Sequence, residues 1–287
     1  MIVDCHFHID EKMLTIEKML ESMDQNGIDK TALISPMNEP MFHDDRLFHR
    51  NMHRIFKFLI LNSPSIGLKI YQSLVKDGYF NVYGNQYKIF AKPNNAVVED
   101  TIIRFPDRFL GWVAVNPLLP DTMEELETYL SNPGFIGVKA HPFMHEYSIK
   151  ALDQVADVCQ VKGKPMIIHL SAEQDSYRYL PEKFPKLKLI YAHAGLPFWK
   201  SLWTYVKDHP NVYIDTSSDY LNSSIVKDVV QSLGFRKCLY GCDGPYGMTT
   251  YNEYDYSSKK TWIDTLPIPE NEKEYILGKN FLELICN

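Results

Sequence analysis

His6 and His8 stand either side of one phenylalanine where the apolar run IVDCHFH ends. Alternate residues of an extended chain point to the same face, so this pair could chelate one ion through two imidazoles. Two more metal-type ligands end other apolar runs, His169 in PMIIH and Asp243 in CLYGCD. Neutral imidazole suits Zn²⁺ or iron, and a third histidine with a carboxylate completes a mixed shell that keeps room for water. Each signal is weak alone. Their recurrence at the ends of separate runs carries the reading, because strand C-termini are where a (β/α)8 barrel gathers its chemistry. His193, ending LKLIYAH, could add a fourth nitrogen ligand or stand beside the ion to polarise substrate or orient water. The second role is preferred, since a mononuclear site already has its ligands.

Other polar residues close the same runs. Lys139 in GVKAH could carry a lowered pKa, bind an anionic substrate group, or pair with Asp243 or a neighbouring carboxylate. His141, two residues on, is a candidate substrate contact. Asp215-Thr216-Ser217 offers hydroxyls that could line a pocket, although hydrogen bonding to loop backbone is the plainer expectation. Arg46, Arg50 and Arg54 recur every four residues with His49 and His53 nearby, one basic stripe if the segment is a helix. A solvated face is the default for such a stripe. On a lid it could reach a substrate carboxylate, with Arg50 as the substrate-binding candidate.

Apolar strands alternating with amphipathic helices supply the frame, a pattern that predicts a parallel sheet wrapped by helices. Strands are expected at Ile2–His6, Thr31–Ser35, Phe109–Val115, Phe135–Lys139, Pro165–His169, Leu187–His193, Val212–Thr216 and Cys238–Asp243. Thr15 caps a first helix that Gly27 stops, Asp121 with Glu124 resembles a capping box, Gly163 stops another helix, and Glu270–Leu284 forms the last. The expected architecture is a single α/β domain over residues 1–287, a (β/α)8 TIM barrel. One stretch breaks the rhythm: residues 36–92 follow the second strand where a short loop and helix would suffice. They predict a helical insertion on the catalytic face, with helices from Asp44 and around Ile66–Val75, acting as a lid or packing on the barrel wall.

Composition narrows the class. The 287 residues suit one barrel domain, and a net charge of −6 argues against a nucleic-acid binder. No apolar run approaches the ~18–20 residues that span a bilayer, and the N-terminus lacks a secretory pattern. Five cysteines at irregular spacing read as reduced thiols of a cytoplasmic protein.

Eight segments, VDCHFHI, FPDRFLGWVAVNP, GFIGVKAHP, PMIIHLS, LKLIYAHAG, NVYIDTSS, LYGCDGPYG and ILGKNFLELI, occur in the order found in the amidohydrolase superfamily. They resemble its amidohydrolase-related branch, which includes aminocarboxymuconate-semialdehyde decarboxylase, and leave only about Pro36 to Lys92 unmatched. The resemblance implies one divalent metal ion, typically Zn²⁺, held by His6, His8, His169 and Asp243. It implies that His193 polarises substrate or activates water and that Asp243 also takes the proton from the water. Two-metal relatives carboxylate a lysine matching Lys139, though this branch mostly uses one ion. Its decarboxylases hold the substrate carboxylate with arginine; Arg178 is the one arginine close behind a strand here. The expected partner is a small molecule, anionic if the basic stripe contacts it, and a homo-oligomer is left open. The leading expectation is a hydrolase whose metal-activated water attacks the carbonyl of an amide, ester or lactone. The alternative is a lyase that decarboxylates a small cyclic or aromatic acid.

Overall fold

The computed structural model describes residues 1–42, 54–55, 58–59, 62, 64–82, 84–248 and 250–286. Strands β1 (Val3–His8) and β2 (Lys30–Ile34) begin an eight-stranded sheet, and β3 (Val75–Lys76), β4 (Tyr79–Val82) and β5 (Asn85–Lys88) form a separate antiparallel one. The large sheet continues through β6 (Phe109–Val115), β7 (Phe135–Ala140), β8 (Met166–Ile168), β9 (Leu189–Tyr191), β10 (Val212–Asp215) and β11 (Cys238–Leu239). Every adjacent pair in it is parallel, with helices between, as a (β/α)8 barrel requires.

Local chemistry sets the helix ends. α1 (Ile16–Asn26) is capped by the Thr15 hydroxyl, which accepts from the Lys18 N–H, and stops at Gly27 with φ 66°. Asp121 does not close the expected capping box; its carboxylate is taken by Lys92, 2.5 Å away. Val3, Cys5, Ala32, Ile34, Trp112, Ala114, Ile167, Ile190 and Leu239 fill one apolar cluster inside the barrel. A larger cluster joins the outer strand faces to helix residues such as Met19, Met23, Val98 and Ile102. Among the described residues no helix is long and apolar enough to cross a membrane.

A register shift in β1 matters to the site. Val3 and Cys5 lie in the interior cluster, whereas Phe7 lies in the outer one. Strict alternation would put all three on one face. The pairing of β1 with β2 slips between Asp4 and Phe7, and that bulge switches parity, so His6 and His8 face the barrel mouth.

The insertion departs from expectation. Residues 54–55, 58–59 and 62 are helical and α2 spans Pro64–Ser73, but the following stretch is not helical as expected; it is the β3–β5 meander. Asp77 and Gly78 both take positive φ (53° and 77°), the geometry of a tight hairpin turn, and the alternating Tyr79-Phe80-Asn81-Val82 puts Phe80 inward. A D-G pair before an alternating run was the available signal. Of the helix expected from Asp44, residues 54–55 and 58–59 are helical; Arg46, His49, Arg50 and His53 lie outside the described residues, and Arg54 is exposed.

The barrel closes between β1 and the chain that follows β11. Cys5 donates its N–H to the Tyr240 carbonyl at 3.0 Å, Asp243 to that of His6 at 2.7 Å, and His8 to that of Gly244 at 2.6 Å. Asp4 staples this seam, its Oδ1 accepting the N–H groups of His6 (2.9 Å) and Cys242 (3.1 Å). Burial pushes the Asp4 carboxyl up to about 7 against the pull of those N–H groups. The folded state therefore holds the proton more tightly than the unfolded chain, and stability falls as pH rises from about 4 to about 7. Asp4→Asn keeps an accepting oxygen and removes the ionisation. Urea denaturation at pH 5 and pH 8 should show a flatter response for the variant, with a relative gain at pH 8 on the order of 2–4 kcal/mol.

Candidate active site

The seam that closes the barrel also places three ligand atoms together. His6 Nε2 lies 3.4 Å and His8 Nε2 3.6 Å from Asp243 Oδ1, and all three atoms fall within 4.8 Å of one another. Asp243 reaches this position from a backbone with φ 59°, an unusual conformation for a residue with a side chain. The remaining ring nitrogens fix the tautomers. His6 Nδ1–H donates to Asp215 Oδ2 at 2.9 Å, and His8 Nδ1–H to the Ser35 carbonyl at 3.1 Å. Both Nε2 lone pairs are thereby turned toward the carboxylate, the arrangement in which outer-shell acceptors prepare histidines for a metal. Burial holds His6 well below its ordinary pKa and His8 at about 3, so both rings are neutral, as ligation demands. Donor type, tautomer and spacing all fit a divalent ion.

His193 sits beside this set on a strained turn. It and Ala194 both have φ 57°, and Trp203 Nε1–H clamps the turn through the Ala194 carbonyl at 2.6 Å. The His193 N–H donates to Asp215 Oδ1 at 2.8 Å, and its Nδ1 lies 2.9 Å from Ser217 Oγ and 3.9 Å from Asp243 Oδ2. Burial and the nearby His6 hold its pKa well below the usual range. His8, His193 and Asp243 open onto a cavity of about 330 Å³. Its floor includes His8, His141, His169, His193 and Asp243, and much of its wall comes from the insertion through Ile70, Leu74, Phe80, Val82 and Tyr87.

The sequence profile of the amidohydrolase family matches residues 3–284. The chain belongs to the amidohydrolase family. Solved structures share the fold at low identity. A 4-oxalomesaconate hydratase from Rhodopseudomonas palustris is 16% identical, with a TM-score of 0.66 over 100% of this chain and 96% of that one. A 5-carboxyvanillate decarboxylase from Sphingomonas paucimobilis is 16% identical, with a TM-score of 0.63 over 99% and 98%. A probable 2-pyrone-4,6-dicarboxylic acid hydrolase from Acinetobacter baumannii, solved with citric acid bound, is 15% identical, with a TM-score of 0.62 over 100% and 99%. Among curated proteins no relative matches the sequence.

Of the residues singled out in the sequence, His6, His8 and Asp243 come together in a compact group that could hold a metal ion, and His193 adjoins it. His169 reaches the cavity but not the three-ligand group. Its Nδ1 is 2.9 Å from His193 Nε2, and its Nε2 is 2.6 Å from the hydroxyl of Tyr71. Lys139 is fully buried, with Nζ 3.1 Å from His6 Nε2; burial lowers it to about 8 against the attraction of Asp243 and Asp215. His141 lines the cavity and stacks on His169, ring centres 4.2 Å apart. Arg178 does not come to the cavity. Its side chain is half-exposed beside Asp175 and lies over the rings of Tyr177 and Tyr205, because it follows β8 on the helix Ser176–Lys183, outside the ring of strands. Arg50 lies outside the described residues.

Two participants were not anticipated. Asp215 anchors His6 and the His193 backbone, so the run YIDTSS supplies a carboxylate rather than hydroxyls alone; Thr216 does bond backbone, donating to the Leu239 carbonyl at 3.1 Å. Tyr71, from the insertion, stacks on Phe143 at 4.1 Å and places its hydroxyl between His169 and the Leu170 carbonyl (2.9 Å). Tyr71→Phe should keep the stack and strand those two buried partners. A loss of about 1–3 kcal/mol in urea unfolding is expected; an unchanged midpoint would show that the contact does not hold the insertion down. For the ligand set, elemental analysis should find about one divalent ion per wild-type chain and little in His6→Ala or Asp243→Ala.

Proposed function

We propose that this chain is a metal-dependent hydrolase acting on the carbonyl of a small uncharged amide, ester or lactone. The charges around the cavity carry this reading. Among the described residues its lining presents the carboxylates Asp219 and Asp243 and a group of neutral imidazoles, with no arginine or lysine. A substrate carboxylate would find no arginine or lysine in that lining to pair with, Asp219 being held by Lys259, whereas a neutral carbonyl compound needs none.

The ion we propose is a single Zn²⁺, which two imidazoles and a carboxylate suit, held by His6 and His8 through Nε2 and by Asp243. When bound it would act as a Lewis acid and bring the pKa of water to about 7. Asp243 has a second use. It would also accept the proton that the attacking water gives up, with His193 Nδ1 3.9 Å from its Oδ2. His193, neutral and fixed by Asp215, would donate to or accept from the substrate at the cavity floor. Lys139 would steady the charge on Asp243 from beneath, and the wall of the insertion would keep bulk water out.

A lyase reading rests on two observations. The structural neighbours include a decarboxylase and a hydratase, and the buried Lys139 ammonium is a cation close to the floor. Incubating metal-loaded protein with neutral amides and lactones in parallel with aromatic carboxylates, and assaying released acid against released carbon dioxide, separates the two. Turnover confined to the carboxylates would overturn the hydrolytic reading. His193→Asn should retain its metal by elemental analysis and lose ~10²–10⁴ in kcat, the scale of general acid–base assistance. Loss of metal in step with activity would make His193 a ligand instead.

A further inference from the structure

The cavity has two kinds of lining. His8, His141, His169, His193 and Asp243 are polar; beside them the insertion and the chain after β7 offer Ile70, Leu74, Phe80, Val82, Phe143 and Met144, with Phe143 stacked on His169 at 5.4 Å. This wall is fixed rather than loosely draped. Phe80 and Phe143 belong to the same buried cluster as the outer barrel strands, their rings meet edge to face at 6.1 Å, and Phe143 stacks on Tyr71. Both ends of the insertion are tied to one another, with Glu39 N–H donating to the Lys88 carbonyl and Phe90 N–H to that of Met37, each at 2.9 Å. An apolar surface held open over a reactive floor is wetted at a cost unless a ligand covers it.

We propose that the substrate is an amide or ester whose acyl half is a hydrophobic chain or ring, seated on this wall with its carbonyl at His193 and Asp243. The proposal rests on the hydrolytic reading above, but the hydrophobic subsite is testable without turnover. The insertion would then set acyl length, and the barrel the chemistry.

The test uses full-length, metal-loaded protein and a series of linear primary amides from butanamide to decanamide. Binding is read by displacement of the neutral fluorophore N-phenyl-1-naphthylamine, and hydrolysis of the same amides by ammonia release. Each added methylene should tighten binding about fourfold until the cavity is full, the equivalent of ~0.8 kcal/mol per buried CH₂. Leu74→Asn and the near-isosteric Val82→Thr, both at half-buried positions, should flatten that dependence. A rising series with no acid released from these amides or from the matching methyl esters and lactones would uphold the subsite and overturn the hydrolytic reading. Ammonia release with affinity independent of chain length would overturn the subsite and leave the reaction standing. A rise that both variants leave unaltered places the probe elsewhere and also overturns it.

Discussion

A carboxylate shut away from water is tolerable only when donors surround it, and Asp215 is such a group. It is fully buried and accepts from four donors: the His6 ring, the backbone N–H groups of His193 and Ser217, and the Ser217 hydroxyl. Meeting that demand draws β1, β10 and the turn after β9 together at one point. It also decides which nitrogen of His6 keeps its lone pair and where the His193 ring begins. The settings of His6 and of the adjacent His193 are thus consequences of one electrostatic requirement. Replacing Asp215 would release both at once.

The second constraint is closure. A barrel has to join its first and last strands, and here β11 pairs in a regular ladder only with β10. The join to β1 is made by separate backbone bonds between residues 5–8 and 240–244 and by the Asp4 carboxylate. Leaving the ladder allows the chain at Asp243 to take a positive φ and turn its side chain toward His6 and His8. Irregularity at the seam and the bulge in β1 serve the same end, since both aim side chains at the mouth that regular strands would send elsewhere.

Much of this was legible in the sequence. Continuous apolar runs located the eight strands, because strands covered on both faces must be apolar along their length, and the four runs that end in histidine or aspartate located the polar mouth. The H-x-H pair implied two rings on one side, and the structure agrees. The bulge that brings those rings to the correct side was not legible, since parity depends on pairing with β2. Asp215 was placed at a strand end with no role assigned to its carboxylate, because that role comes from partners distant in the chain. Tyr71 carried no signal either: a tyrosine in an amphipathic helix is ordinarily packing. The meander was missed for a different reason. Its strands are two to four residues long, and the D-G turn between them was outweighed by the helical spacing just before it.

The paired ends of the insertion have a consequence for how such a protein can change. Asn38 bridges to Ile89, and the bonds beside that bridge clasp the two points where the chain leaves and rejoins the barrel. Everything between is a loop whose closure is already made at its base. Lengthening or shortening it alters closure entropy only logarithmically, and the strands beneath need not shift register. The roof of the cavity is in this sense an exchangeable cassette: its sequence can drift or be grafted while the reactive floor stays under separate selection.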